Sequence, residues 1–179
     1  MKRYVPFLTG VLLLLYSCKP NDDQKQNNKI PNRESDLAVE SVSSEDLYFE
    51  SDSLTEFLSS QLNKIATDSK FKIEKTLTEN RHVDNLKDTV IERTFENIKL
   101  TSYKGIGYEA VIEASIENSD FKLNNYIQVG TSKKVVEKSL GIVIPNEILK
   151  IVNFEQTTQF GLKFENGYLK KIEFEGYLD

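Results

Sequence analysis

The 179-residue chain has 23 basic and 28 acidic residues, a single histidine and a formal net charge of −5. An acidic balance without a basic stripe argues against nucleic-acid binding and against flat adsorption on anionic lipid. The single cysteine, Cys18, excludes a disulfide within the chain.

The start of the chain has the pattern of a secretory signal peptide. Lys2 and Arg3 form a basic start, and residues 4–16 are mostly apolar. A helix that spans the bilayer needs about 20 apolar residues, so this run is too short to span and is typical of a signal. The run ends at Ser17, a small residue, and Cys18 follows it directly.

The four residues Leu15-Tyr16-Ser17-Cys18 resemble the lipobox of bacterial lipoproteins. Tyr16 departs from that motif, whose residue at this position is small or β-branched. The resemblance implies cleavage after Ser17, acylation of Cys18 and attachment to the membrane through the lipid alone. Several acyl chains hold a protein more firmly than one, because each buried methylene adds about 0.8 kcal/mol. The alternatives are an uncleaved anchor and an ordinary signal with a chance cysteine.

Composition divides the chain into a signal peptide (1–17), a lipidated cysteine with a disordered tether (18–44) and one domain (45–179). The tether is rich in Asn, Asp, Gln and Lys, and buries too little apolar surface to offset the entropy of ordering it. Lys19 does not match the inner-membrane retention residue of enterobacterial lipoproteins, so we expect outer-membrane sorting. Asp22 and Asp23 loosely resemble the surface-export signal of Bacteroidetes lipoproteins, which leaves the membrane leaflet open.

A helix is the first predicted element of the domain, within residues 51–66. Its apolar residues recur with helical spacing and form one stripe: Leu54, Phe57, Leu58, Leu62 and Ile65. Ser51 or Ser53 can cap the N-terminus of this helix, and Ser53 with Glu56 has the spacing of a capping box.

Beyond the helix the apolar period changes to two, which predicts strands. The strands place these apolar sets on one face each: Phe71, Ile73 and Leu77; Ile91 and Phe95 around Arg93; Tyr108, Ala110, Ile112, Ala114 and Ile116; Phe160, Leu162 and Phe164; Ile172 and Phe174. Asn166-Gly167 is a strong hairpin signal, and Gly105 and Gly107 bracket another turn. Because polar residues alternate with apolar ones, we expect an antiparallel sheet with one wet face.

A second, short helix is predicted between the strands, with Thr131 or Ser132 as its cap and Gly141 at its end. Its apolar side is formed by Val135, Val136 and Leu140. We therefore predict an α+β fold, in which the N-terminal helix and the second short helix pack on one face of the antiparallel sheet.

Residues 126–141 resemble a phrase of SmpA/OmlA-type outer-membrane assembly modules and of β-lactamase-inhibitor-protein-like modules. The matching residues are Ile127, Gly130, Ser132, Val136, Leu140 and Gly141. The resemblance implies paired helices on an antiparallel sheet, an Asn-Gly hairpin downstream, and protein binding rather than catalysis. Physical chemistry also explains the same residues as a strand turn, a helix cap and a left-handed helix exit.

No pattern in the sequence predicts a catalytic residue, a metal ion or a cofactor. The single histidine, His82, lies near Asp84 and Asp88 in a stretch rich in turn-forming residues. Because their spacing fits no ligand motif, we interpret this stretch as a solvated loop. A metal site or an acid–base pair is the alternative interpretation.

A small basic edge on the second helix is the candidate partner-binding site. It comprises Lys133, Lys134 and Lys138, and it is either a docking patch for an acidic partner or an ordinary solvated face. These patterns predict a lipid-anchored envelope protein that binds a protein partner or acts as a scaffold. The alternatives are a small-ligand carrier, with a pocket between helix and sheet, and a hydrolase or metal-dependent enzyme that uses His82.

Overall fold

The computed structural model describes residues 47–80 and 82–177. The helices are α1 (Asp52–Ile65) and α2 (Lys133–Leu140), and the strands are β1 (Leu47–Glu50), β2 (Lys72–Glu79), β3 (Lys87–Phe95), β4 (Ile98–Gly105), β5 (Tyr108–Ile116), β6 (Ile148–Val152), β7 (Thr158–Glu165) and β8 (Tyr168–Gly176). The predicted signal peptide with Ser17, the lipidated Cys18 and the tether up to residue 44 lie outside the described residues. Neither α1 nor α2 is long and apolar enough to cross a membrane.

The eight strands form one sheet in the order β1-β6-β7-β8-β5-β4-β3-β2. Strand β1 pairs with β6 in parallel, and every other neighbouring pair is antiparallel. Helix α1 contacts β5, β6 and β7, so it covers the part of the sheet that extends from β6 to β5. The predicted α+β fold, with a mostly antiparallel sheet and an N-terminal helix, is confirmed.

Helix α1 begins where its cap satisfies the first backbone donors. The Ser51 hydroxyl accepts a hydrogen bond from the Leu54 N–H at 3.3 Å, so Ser51 is the N-cap and the predicted capping box at Ser53 is wrong. Leu58 is fully buried against the sheet. Phe57, predicted in the same stripe, is 46% exposed because at 100° per residue it lies on the flank of that stripe.

One hydrophobic core fills the space between the helices and the sheet. Leu58 and Leu62 of α1 and Val136 of α2 are fully buried in it. The C-terminal hairpin contributes all of its predicted inward residues, namely Phe160, Leu162, Phe164, Ile172 and Phe174. Asn166 and Gly167 have positive φ angles of 52° and 77° and form the predicted two-residue turn between β7 and β8.

Strand β5 contains a bulge that its alternating sequence does not reveal. The register between β4 and β5 skips Ile112. As a result, Val111 is buried together with Ala114 and Ile116, whereas Tyr108 is exposed. The predicted face of alternate residues from Tyr108 to Ile116 is therefore wrong for the first half of the strand.

Strand β2 lies at one end of the sheet, outside the strands that α1 contacts. Ile73 and Leu77, which were predicted to face the core, are 51% and 66% exposed. Phe71, just before the strand, is buried, and its ring stacks on Phe121 with 5.5 Å between the ring centroids. The apolar period of β2 does not lead to burial, because burial also requires an element that covers the strand.

Helix α2 ends as predicted, with Gly141 in the left-handed conformation at φ 70°. Ser132 holds the N-cap backbone position, but its side chain makes no cap hydrogen bond, so the predicted hydroxyl cap is wrong. Val136 is fully buried, whereas Val135, predicted on the same apolar side, is 45% exposed. This short helix touches the core along a narrow line through Val136, which leaves Val135 outside it.

Candidate functional site

The sheet face opposite the core, here termed the open face, is mostly polar and charged, with the buried Val152 as an apolar exception. Its side chains alternate along each strand with the core residues, and strand register aligns them in two rows across the sheet. The glutamate row consists of Glu50, Val152, Gln159, Glu175, Glu113, Thr101, Glu92 and Glu74. The lysine row beside it consists of Tyr48, Lys150, Gly161, Glu173, Ser115, Lys99, Thr94 and Lys72.

The glutamate row places like charges directly opposite one another. Glu113 on β5 faces Glu175 on β8, and Glu74 on β2 faces Glu92 on β3. Two carboxylates in directly opposed positions destabilise a sheet. Among the described residues, neither Glu113 nor Glu175 forms an ion pair with a lysine or arginine.

The other opposed pair of glutamates is neutralised from the lysine row. Lys72 Nζ lies 2.7 Å from Glu74 Oε1, and Lys99 Nζ lies 3.2 Å from Glu92 Oε1. The hydrogen bond from Lys72, followed by its positive charge, lowers the pKa of Glu74 below its ordinary value. The pair Glu74–Glu92, at the β2 end of the glutamate row, is therefore bound by lysines, whereas the pair Glu113–Glu175, in the middle of the row, forms no ion pair with another described residue.

Glu173 is the centre of an ionic cluster on the open face. Its carboxylate oxygens lie 2.8 Å from Lys163 Nζ and 3.2 Å from Lys171 Nζ, and Lys171 Nζ also lies 2.9 Å from Glu117. Burial alone would raise the pKa of Glu173, but hydrogen bonds from both lysines and their charges outweigh it, so this pKa is lowered. Hydrogen bonds to Glu117 and then Glu173 raise the pKa of Lys171. These contacts fix the positions of the charges.

Two adjoining depressions, of about 280 Å³ and about 260 Å³, indent the open face. Both share Glu173 and Glu175, and their other charged residues are Lys99, Glu113 and Lys171 in the larger one and Lys150 and Lys163 in the smaller one. Sites for small apolar ligands are concave and mostly apolar, whereas these depressions are open and several charged side chains line each of them. They also lie on the opposite side of the sheet from the helix–sheet interface in which the carrier hypothesis places its ligand.

The loop that carries His82 is held by backbone and side-chain hydrogen bonds. Asn80 Oδ1 accepts hydrogen bonds from the backbone N–H groups of His82 and Val83, each at 2.8 Å. His82 and Asp84 are exposed, whereas Asp88 is 2% exposed. The Asp88 carboxylate accepts hydrogen bonds from Asn80 Nδ2 at 2.6 Å and from the Tyr103 hydroxyl.

These contacts give Asp88 a structural role at the base of the loop. Asp88 is separated by its burial from the two exposed side chains with which the enzyme hypothesis groups it, His82 and Asp84. Within residues 47–80 and 82–177, no group of three or more His, Cys, Asp or Glu side chains is arranged to hold a metal ion. The geometry therefore gives no support to a metal or acid–base site at His82.

The predicted basic edge of α2 is smaller than the sequence suggests. Lys133 Nζ donates a hydrogen bond to the Asn146 carbonyl oxygen at 2.7 Å and lies 5.9 Å from the centroid of the Phe164 ring. Lys133 therefore connects α2 to the chain before β6, which is a structural role. Lys134 and Lys138 are exposed and are the two members of the predicted patch that a partner could reach.

Comparisons with known proteins do not add a family to this description. The chain matches no protein-family model, no curated protein sequence and no solved structure at a significant level. The open face, with its two rows of charge, is the candidate site that the geometry of the described residues indicates.

Proposed function

We propose that this protein is a lipid-anchored envelope protein, attached to the outer membrane through Cys18, whose open face binds a protein partner without catalysis. The open face is the observation that carries the binding role. It is an extended polar surface with two open depressions and charges held in fixed rows. Surfaces of this kind suit a protein partner, which can match many charges at once, better than a small molecule.

The chemistry of the partner follows from the charge of the open face. Glu113 and Glu175 oppose one another without a described ion-pair partner. A lysine or arginine brought to this point by a partner would relieve their repulsion. We therefore expect the partner to present a basic side chain to the larger depression.

The anchor has its own support and its own test. The lipobox resemblance at Leu15 to Cys18 and the polar stretch that follows support acylation. We expect cells supplied with an alkyne-palmitate analogue to label the wild-type chain and not the Cys18→Ala variant. Absence of label on the wild type would refute the lipid anchor and leave the binding role to be judged separately.

The binding role is tested by charge reversal on two different surfaces. We expect envelope membranes to yield a discrete protein that cross-links to the wild type, and that is lost when Glu113→Lys is introduced. The double variant Lys134→Glu, Lys138→Glu is the matched control, because it reverses charge on the exposed edge of α2. Loss of the cross-link in that control alone would place the partner on α2 and refute the role of the open face.

A further inference from the structure

Strand β2 presents a long, regular edge at one end of the sheet. Its eight residues, Lys72–Glu79, pair with β3 in one unbroken register and contain no proline, glycine or bulge. Seven of the eight are exposed. Long edge strands are templates for pairing with another chain, and natural proteins protect them by shortening, bulges, proline or charged side chains. Strand β2 has only the charged side chains, namely Lys72, Glu74, Lys75 and Glu79.

The hydrogen bonds of the β2–β3 hairpin determine which backbone groups point outward. The Asn80 N–H donates to the Leu86 carbonyl oxygen at 2.9 Å, so this pair is hydrogen-bonded. In an antiparallel ladder, hydrogen-bonded and non-hydrogen-bonded pairs alternate. The even-numbered residues of β2 therefore bond to β3, and Ile73, Lys75 and Leu77 direct their N–H and C=O groups to the outer edge.

The side chains of the same three residues share the sheet face on the core side. Ile73 and Leu77 are about half and two-thirds exposed there, one on each side of Lys75. A strand added at this edge would cover part of the exposed surface of both side chains. The edge thus offers main-chain hydrogen bonds and side-chain burial together, which is the requirement for strand addition.

We propose that a second copy of this chain pairs with β2 in antiparallel orientation, about a twofold axis at Thr76. Residues that face each other across such an axis must lie on the same face of the sheet, so both must be odd-numbered or both even-numbered. The twofold axis therefore passes at one residue of β2 rather than between two. Two registers of this kind pair seven of the eight residues of β2. One is centred on Lys75 and places two lysines directly opposite each other, which is unfavourable.

The register centred on Thr76 avoids every direct like-charge pair. It places Thr76 opposite Thr76 of the second copy, and it repeats on both sides of the axis the pairs Glu74 with Thr78, Lys75 with Leu77, and Ile73 with Glu79. The odd-numbered residues, whose backbone groups point outward, form the hydrogen-bonded pairs of this register. None of these pairs joins like charges, so β2 of a second copy meets no direct charge repulsion at this edge.

A twofold pairing also closes, since it uses the β2 edge of both copies and leaves no β2 edge free for a third copy. The opposite end of the sheet is the four-residue strand β1, which is too short to accept β2 along its length. The inference concerns the edge of the sheet rather than the open face, so it stands independently of the proposed function.

Sedimentation equilibrium of the full chain carrying Cys18→Ala, measured over a wide range of concentration, tests the pairing. We expect a dimer whose dissociation constant rises at least about tenfold in Thr76→Glu, because two new carboxylates then meet at the axis next to Glu74 of each copy. Thr94→Glu is the matched control, since Thr94 is an exposed strand threonine between Lys72 and Lys99. A monomer throughout, or a dimer that Thr76→Glu does not weaken, would overturn the proposal.

A cross-linking measurement keeps the proposal testable if Thr76→Glu fails to fold. Residues at a non-hydrogen-bonded pair have Cα atoms about 4.5 Å apart, a distance that a disulfide can bridge. Thr76→Cys, in the Cys18→Ala background, should therefore form a disulfide-linked dimer on mild oxidation, whereas Thr94→Cys should not. Equal cross-linking of the two variants would mean random collision and would contradict the twofold pairing.

Discussion

Single residues in this protein owe their roles to partners far away in sequence. Asp88 illustrates this at the base of the loop 80–86, where Asn80 and Tyr103 donate to its buried carboxylate. From sequence alone it is one of two neighbouring aspartates beside a histidine. Its burial and its contact with Tyr103 depend on β4 lying beside β3, which local sequence does not encode.

Replacing Asp88 should lower the free energy of unfolding. In Asp88→Ala, two part-buried donors lose their acceptor, so we expect the free energy of unfolding to fall by about 1–3 kcal/mol. Asp84→Ala is the matched control, since Asp84 is exposed in the same loop, and it should change stability by less than about 0.5 kcal/mol. Urea unfolding of both variants measures the difference, and equal stabilities would contradict the structural role of Asp88.

Glu173 should make stability depend on pH in the acid range. Its pKa is lowered from the ordinary value of 4.5, so the contribution of Glu173 is complete above that value. This contribution is lost as pH falls through the folded-state pKa, where the carboxylate takes up a proton. We therefore expect the stability of the wild type to fall more steeply below pH 4.5 than that of Glu173→Gln.

The same pH profile identifies the partners of Glu173. Lys163 and Lys171 supply the hydrogen bonds and charges that lower its pKa. The double variant Lys163→Gln, Lys171→Gln should therefore flatten the acid limb of the profile as Glu173→Gln does. If both variants kept the slope of the wild type, another carboxylate would be responsible for it.

Secondary-structure elements with local signals were predictable, and those defined by pairing were not. The Asn166-Gly167 turn, the exit of α2 at Gly141 and the inward residues of β7 and β8 follow from neighbouring residues alone. The bulge at Ile112 and the exposed edge at β2 depend on which strand lies beside them. Strands β1, β4 and β6 were not predicted. For β1, the parallel pairing joins segments about a hundred residues apart, which local sequence does not reveal.

The sequence offers Ser51 or Ser53 as the cap of α1, and the structure has Ser51 in that role. Ser51, rather than Ser53, accepts the hydrogen bond from the first turn. Ser51→Ala should therefore lower the free energy of unfolding by about 1 kcal/mol, and Ser53→Ala should lower it by clearly less. Thermal unfolding of the two variants under the same conditions separates them, and the reverse order of stability would restore the capping box of Ser53 and Glu56.

At the scale of the whole molecule, the sheet assembles a surface from residues that the sequence keeps apart. The glutamate row draws one residue from each of eight strands, and sequence order along the chain differs from spatial order across the sheet. The polar positions of each strand were visible in the alternation of the sequence. Their alignment into rows was not, because a shift of one strand by two residues would bring a different set together.

On the open face, a substitution that abolishes the proposed partner binding should raise the free energy of unfolding. In Glu113→Lys, a lysine faces Glu175, so we expect the free energy of unfolding to rise by about 0.2–1 kcal/mol even though partner binding is lost. Glu165→Lys, at the exposed end of β7, is the control and should leave both properties close to those of the wild type. A Glu113→Lys variant less stable than the wild type in chemical denaturation would contradict this view of the row.

Strand β1 also has a mechanical consequence. It joins the sheet only through four residue pairs with β6, and it is the first described element of the chain. A pulling force applied at the N-terminal side of Leu47 would therefore act on β1 before it reaches any other strand. Detachment of β1 would release about 13 Å of extended chain while the seven remaining strands kept their pairing, so β1 would lengthen under load before the rest of the sheet is strained.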